Sequence, residues 1–122
     1  MTTVSSIRKF WFVVVALVAS IAWASPVAAH AQLDTSSPAP SAVLESAPSE
    51  IRLDFNEPVT PIARSIEIYN QDGQRIVLGE ALLSPDDPSV LIAGDVPEIP
   101  DGLYVVAWRA VSNDGHAVEG AY

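Results

Sequence analysis

The sequence is poor in the residue types that build many functional sites. It contains no cysteine, and its single methionine is Met1. These absences exclude a disulfide framework and a catalytic thiolate, and they leave any metal to nitrogen and oxygen ligands. Histidine is also scarce, because only His30 and His116 occur in the 122 residues. A function that depends on imidazole chemistry must therefore use one or both of these positions.

The apolar run near the amino terminus is too short for a membrane-spanning helix. It covers residues 10–24 with one interruption, whereas a span needs about 20 apolar residues. Basic residues precede the run, and the small-residue sequence Val27-Ala28-Ala29 follows it. This arrangement predicts a secretory signal at residues 1–29 that is cleaved after Ala29. His30 would then be the first residue of a domain in the periplasm or on the extracytoplasmic face of the cell envelope.

Removal of the signal would leave a strongly acidic chain. Four arginines then stand against all fifteen acidic residues, which gives residues 30–122 a formal net charge of −11. Nucleic acid and anionic lipid are poor partners for such a surface. A chain of this length suffices for one small domain and is too short for two. We therefore expect one exported domain that does not bind nucleic acid.

Residues 30–122 consist of short extended segments separated by proline and glycine, with no long stretch of helical periodicity. Apolar and charged residues alternate over Ile51–Phe55 and over 66–69, as in strands with one face on a core. Other strands are predicted at 31–34, 74–78, 81–83, 90–93, 103–111 and 117–122. The pattern predicts an all-β sandwich or Greek-key barrel whose last strand is truncated at Tyr122.

The longest predicted strand, 103–111, has two different faces. Because side chains alternate along a strand, Tyr104, Val106 and Trp108 share one face, and their apolar character predicts that this face enters the core. Arg109 lies on the other face, where we expect an ion pair on the sheet surface.

A polar stretch late in the chain, Ser112-Asn113-Asp114-Gly115-His116, combines a carboxylate with a histidine. Gly115 can adopt backbone conformations closed to other residues, so a tight bend would aim Asp114 and His116 at one point. This is a suitable spacing for a chelate, and His30 at a new chain start would offer a second imidazole. Two simpler interpretations stay open. Asp-Gly is a common hairpin turn, and a histidine beside such a turn, here His116, usually faces water. His30 would then be an ordinary residue near a frayed chain end.

Several short motifs, in this combination and order, are typical of one protein family. They are His30-Ala31-Gln32-Leu33, Ser37-Pro38-Ala39, Ala47-Pro48, Leu53-Asp54-Phe55-Asn56-Glu57-Pro58-Val59, Gly102-Leu103-Tyr104-Val105-Val106-Ala107-Trp108-Arg109 and Ser112-Asn113-Asp114-Gly115-His116. On these motifs, which cover nearly all of residues 30–122, the chain resembles the CopC-type family of periplasmic copper-binding proteins.

The resemblance implies a small Greek-key β-barrel of the immunoglobulin-like or cupredoxin-like kind. It also implies a copper(II) site that uses the terminal amine and the ring of the first histidine; by position, the metal ligands would be His30, Asp114 and His116. Such a nitrogen and oxygen set suits copper(II). Glu57, just before Pro58, either supports the site from behind the ligands or is a solvated carboxylate at the end of a strand.

Two departures from the family pattern bear on function. Members that also hold copper(I) carry a methionine-rich segment, which this chain lacks. Members also continue past the position of Tyr122, and a membrane copper-transport partner would be either fused there or separate.

Three functions are compatible with these residues. The first is a carrier that buffers copper(II) or passes it to a membrane copper transporter in copper homeostasis or resistance, and such a protein is a binder, not an enzyme. The second is a copper oxidase or oxygenase with an amino-terminal histidine brace, although Asp114 would occupy a position that oxygen activation needs open. The third is a metal-free adhesion or scaffold domain.

Overall fold

The computed structural model describes residues 30–122, so the predicted signal at 1–29 lies outside the described residues. Eight β-strands make up the regular structure of this range. They are β1 (Leu33–Ser37), β2 (Ile51–Phe55), β3 (Val59–Asn70), β4 (Arg75–Ile76), β5 (Ala81–Ser84), β6 (Asp87–Ala93), β7 (Tyr104–Ser112) and β8 (Ala117–Ala121). Between residues 30 and 122 there is no helix that could cross a bilayer.

The strands form two antiparallel sheets of four strands each, in the orders β1-β2-β6-β5 and β4-β3-β7-β8. The prediction of an all-β sandwich is therefore confirmed. Neighbouring strands are mostly consecutive in the chain, whereas β2 pairs with β6 and β3 pairs with β7 across longer connections. The chain passes from one sheet to the other at the β2–β3, β4–β5 and β6–β7 connections.

Strand bounds differ from the predicted ones where turns were misjudged. The strands predicted at 81–83 and 90–93 are longer in the structure, because a tight turn at residues 85–86 joins β5, which ends at Ser84, to β6, which begins at Asp87. The predicted strands 66–69 and 74–78 pair with each other as parts of β3 and β4, but β4 is only Arg75–Ile76. β3 begins at Val59 rather than at residue 66. Its pairing with β7 starts before an irregular segment between Pro61 and Ile66 and continues after that segment.

That irregular segment of β3 is held by one buried hydroxyl. Ser65 is fully buried, and its Oγ accepts the Ile62 N–H at 2.7 Å and donates to the Ile62 carbonyl at 2.9 Å. Arg64 has a φ of 59° within the bulge. Because the buried polar group is satisfied locally, the strand can bend without exposing unpaired donors to the core.

The core lies between the two sheets and follows the predicted alternation. On β2, Ile51, Leu53 and Phe55 are buried while the intervening residues are partly exposed. The other buried apolar residues are Ala31, Val59, Ile66, Ile68, Ala81, Val90, Leu91, Ala93, Val106 and Ala110. Complete burial of a leucine side chain contributes about 1.5 to 3 kcal/mol, so this layer supplies the main driving force for folding.

The predicted core face of β7 is confirmed. Val106 is buried, while Tyr104 and Trp108 are partly buried and pack against the core. The Trp108 ring meets Phe55 edge to face, with ring centroids 5.2 Å apart. The expected ion pair of Arg109 does not form within 4.0 Å among residues 30–122: Arg109 lies opposite Glu119, and its Nε donates to the Arg64 carbonyl at 3.4 Å. The bulge in β3 contains Arg64 and places its carbonyl within hydrogen-bonding distance of the guanidinium.

Candidate metal centre

The turn between β7 and β8 positions two of the three candidate ligands, Asp114 and His116. The Ser112 N–H donates to the His116 carbonyl at 2.9 Å, and the Gly115 N–H donates to the Ser112 carbonyl at 2.9 Å. Gly115 has a φ of 87°, in the left-handed region that favours glycine. The bend predicted from the Asp-Gly pair is therefore present, and it places Asp114 and His116 on one short loop.

Within this turn, the two carboxylate oxygens of Asp114 have separate partners. The Ser112 hydroxyl donates to Oδ1, and the His116 N–H donates to the same oxygen at 3.1 Å. These hydrogen bonds, that from Ser112 above all, hold the pKa of Asp114 well below its usual value, with the His116 side chain contributing in the same direction. Asp114 is therefore anionic at neutral pH, and Oδ2 faces both imidazole rings.

His30 reaches the turn from the other sheet. Its Nδ1 lies 2.9 Å from Asp114 Oδ2, and the His116 Nδ1 lies 3.1 Å from the same oxygen. The two imidazole rings meet edge to face, with centroids 4.7 Å apart and an angle of 69° between their planes. One carboxylate oxygen is thus flanked by two imidazoles that come from opposite sides of the sandwich.

The segment that carries His30 is anchored just behind it. Ala31 is 4% exposed and belongs to the core. The Gln32 N–H donates to Asn56 Oδ1 at 2.8 Å, and the Asn56 N–H donates to the Gln32 carbonyl at 3.0 Å. These contacts extend β1 toward the turn.

All three residues predicted as ligands lie together. His30, Asp114 and His116 each offer one ligand atom, and these atoms lie within 4.8 Å of one another. All three residues are exposed to solvent. Two imidazole nitrogens and one carboxylate oxygen form a donor set that suits copper(II) and other divalent transition metals, and disfavours calcium or magnesium.

Comparison with known proteins identifies the family of the chain. The family model described as "CopC domain" matches residues 33–122. This chain belongs to the CopC family. The resemblance seen in the sequence motifs is confirmed.

Two curated relatives show how the match is distributed along the chain. Copper resistance protein C of Xanthomonas campestris pv. juglandis is 36% identical over 120 residues, covering 93% of this chain and 92% of that protein. Copper transport protein CutJ of Bacillus subtilis is 35% identical over 92 residues, covering 75% of this chain. The chain spans only 17% of the length of CutJ, so it corresponds to one part of that protein.

Two solved structures share the fold of this CopC-family chain. CopC from Methylosinus trichosporium OB3b superposes with a TM-score of 0.70 at 35% identity, covering 76% of this chain and 89% of that one. PcoC, a methionine-rich copper resistance protein from Escherichia coli, superposes with a TM-score of 0.63 at 25% identity, covering 77% of this chain and 95% of that one.

Glu57 lies outside the group of three candidate ligands in this CopC-family domain. It directly follows Asn56, and its Oε1 is enclosed without a hydrogen-bond partner among residues 30–122. The residue as a whole is partly exposed.

Sequence reasoning missed two residues that shape the centre, Ser112 and Asn56. Ser112 is almost completely buried, which its place in a polar stretch did not indicate. Asn56 contacts a residue 24 positions away, and no local pattern predicts such a contact. The only sequence signal was that both residues belong to motifs shared with the family.

A hollow of about 470 Å³ against β3, β7 and β8 is not part of this centre. Its lining includes Glu67 but none of the three candidate ligands. Glu67 is already ion-paired with Arg64 at 3.6 Å and Arg75 at 3.5 Å, and it accepts a hydrogen bond from the Tyr69 hydroxyl. The Glu67 carboxylate therefore lies between two arginine side chains and the Tyr69 hydroxyl.

Proposed function

We propose that this chain is an extracytoplasmic copper(II)-binding protein that holds the ion through His30, Asp114 and His116. The observation that carries the proposal is the convergence of these three ligand atoms within 4.8 Å, in a chain of the CopC family. Relatives are named for copper resistance and copper transport, which makes copper the metal to test first.

The oxidation state follows from the donor atoms. Copper(II) favours nitrogen and oxygen ligands, whereas copper(I) favours thiolate and thioether sulfur. PcoC is described as methionine rich, while residues 30–122 of this chain contain no methionine or cysteine. We therefore propose that this chain binds copper(II), and we propose no copper(I) site for it.

The terminal amine of His30 completes the proposed ligand set. If the signal is removed after Ala29, the new amine and Nδ1 of the same histidine can close a six-membered chelate ring on the metal. Such a ring fixes two nitrogens together and therefore costs little additional ordering on binding. Residues 1–29 lie outside the described residues, so this part of the proposal rests on the cleavage motif.

We propose that Glu57 supports a metal ligand without binding the metal itself. Its enclosed Oε1 has no donor in the described part of the chain, and its neighbour Asn56 holds the segment that leads to His30. A carboxylate in that position can accept a hydrogen bond from a ligand and hold it in place.

A carrier fits this geometry better than an enzyme does. The three ligands are exposed at one end of the sandwich, and Asp114 already occupies a position beside both imidazoles. The hollow against β3, β7 and β8 has none of these three residues in its lining. We propose that the protein buffers copper in the periplasm or on the outer face of the cell envelope, and passes it to a membrane copper-transport protein.

The decisive experiment compares two amino termini. The full chain is exported with its leader, recovered after processing, and titrated with copper(II) while Trp108 fluorescence is followed. Trp108 is the only tryptophan outside the leader. A second version carries one additional residue between Ala29 and His30. We expect the first to bind at least about tenfold more tightly, because the second lacks the chelating amine. Equal affinities would refute the amine chelate, and no binding by either would refute the proposed function.

A further inference from the structure

The two halves of the centre belong to different sheets. Asp114 and His116 lie on the β7–β8 turn of the sheet β4-β3-β7-β8, whereas His30 precedes β1 of the sheet β1-β2-β6-β5. No strand pairing joins β1 to β7 or β8. The position of His30 over the turn therefore depends on what holds the short segment before β1.

Asn56 holds that segment through both main-chain polar groups of one residue, Gln32. Its Oδ1 accepts the Gln32 N–H at 2.8 Å, and its own N–H donates to the Gln32 carbonyl at 3.0 Å. The last ladder pair between β1 and β2 is Leu33 with Phe55, so Asn56 adds one further rung. In this rung the side-chain oxygen serves as the acceptor, at the point where β2 ends.

We propose that Asn56 is a positioning residue that sets copper affinity by holding the Gln32 main chain, and through it His30, over the Asp114-Gly115-His116 turn. This inference rests on the proposed function. Asn56 does not belong to the group of ligand atoms and acts only through the preceding segment. Without its side chain, the segment samples positions in which His30 lies away from the turn. The apparent affinity then falls in proportion to the fraction of molecules that stay in the competent position.

A merely structural role for Asn56 makes a different prediction. If the residue only stabilises the end of β2, its loss loosens the whole domain and weakens binding regardless of His30. If it acts through His30, its loss has no further effect once His30 is gone. A double-mutant cycle separates these two roles, because it measures the coupling between the two positions.

The experiment uses the full chain, exported and processed, with copper(II) affinity measured against a competing chelator. The variants are Asn56→Ala, His30→Ala, the double variant and Asn70→Ala. Asn70 is a matched control, because its Oδ1 also accepts main-chain N–H groups, from Asp72 and Gln74, but at the far end of β3. We expect Asn56→Ala to weaken binding about tenfold, with no further loss in the His30→Ala background and no change in Asn70→Ala.

Rescue by a conservative variant provides a second readout. Asn56→Asp keeps an oxygen acceptor for the Gln32 N–H and should restore wild-type affinity in 0.5 M salt, where the added charge is largely screened. If Asn56→Ala does not fold, Gln32→Pro removes the same hydrogen bond from the donor side and has the same expected outcome.

The outcomes distinguish this inference from the proposed function. Wild-type affinity in Asn56→Ala, or an equal loss with and without His30, would overturn the role of Asn56 alone. Failure of the wild-type chain to bind copper(II), or binding that is unaffected by His116→Ala, would overturn the proposed function and this inference with it.

Discussion

Asp114 Oδ2 lies 2.9 Å from His30 Nδ1, although the two residues are 84 positions apart in the chain. The contact joins the start of one sheet to a turn of the other. A metal bound there would link the two sheets directly, and the consequences can be measured as affinity, pH dependence and stability.

Replacement of Asp114 by asparagine should weaken copper(II) binding by at least about a hundredfold, because the site loses its anionic ligand. Asp72→Asn is a matched control, since Asp72 also precedes a glycine with positive φ in a β-turn, at the other end of β3. Titration monitored by Trp108 fluorescence measures both variants. A similar loss in Asp72→Asn would indicate a general charge effect instead of ligation.

Copper binding should weaken as the pH falls from about 8 to 6, the range in which terminal amines and imidazoles take up protons. Asp114 should not contribute to this change, because its pKa is lowered and it stays ionised throughout the range. Competition titrations at several pH values test the expectation. An affinity that stays constant down to pH 5 would contradict imidazole ligation.

Ser112→Ala should raise the pKa of Asp114, because the Ser112 hydroxyl is the largest cause of its lowering. A carboxyl group with a lowered pKa in the folded state stabilises the fold above its unfolded value of about 3.9, and this stability is lost as the pH falls through the folded value. The pH-dependent part of the stability difference between wild type and Ser112→Ala should therefore be present at pH 6 and vanish at low pH. Carboxyl NMR titration and urea unfolding at each pH measure the two effects; an unchanged Asp114 pKa would contradict the assignment.

Copper(II) should raise the unfolding temperature, because it binds the folded chain and its ligands separate on unfolding. At a free concentration of 100 times Kd the stabilisation is about 2.7 kcal/mol, and each kcal/mol shifts the midpoint of a domain this small by about 4 to 8 °C. Differential scanning calorimetry with and without a chelator tests this. The same shift in His30→Ala would show that the ion does not link the two sheets.

Gly120→Ala should destabilise the domain by about 1 to 3 kcal/mol through overpacking. A Cβ atom at this position would lie 2.6 Å from Cζ2 of Trp108, so the indole must move. Gly94→Ala is the control, because a Cβ at Gly94 meets nothing within 4 Å. Urea unfolding compares the variants, and a change in Trp108 emission should accompany the loss of stability. Equal stabilities of the two variants would contradict the close packing of β8 on Trp108.

How much could be predicted from the sequence depends on how local the determining interactions are. β2 and the core face of β7 were predicted correctly, because alternation of apolar side chains is itself the cause of their burial. The first part of β3 was missed because Pro61 and the bulge before Ile66 interrupt that alternation. Periodicity also carries no information about which distant segments meet.

The candidate centre also combines local geometry, which the sequence predicts, with contacts between distant segments, which it does not. The bend at Gly115 was predicted from an Asp-Gly pair, since turn geometry is set by adjacent residues. The approach of His30 was expected from the family resemblance, and the contacts that produce it could not be expected at all. Asn56 and Gln32 pair across 24 positions, and this pairing becomes visible only when β1 lies beside β2.

The solvent exposure of the candidate ligands also determines how a bound copper ion would leave the centre. The His30 and His116 side chains are 55% and 68% exposed, so a donor atom from another molecule can approach the ion while the original ligands are still attached. Transfer would then proceed by stepwise ligand substitution in an encounter complex, without any opening motion of the sandwich. The delivery rate would rise with the concentration of the receiving molecule, instead of being limited by spontaneous dissociation, and a tightly held ion would still move quickly.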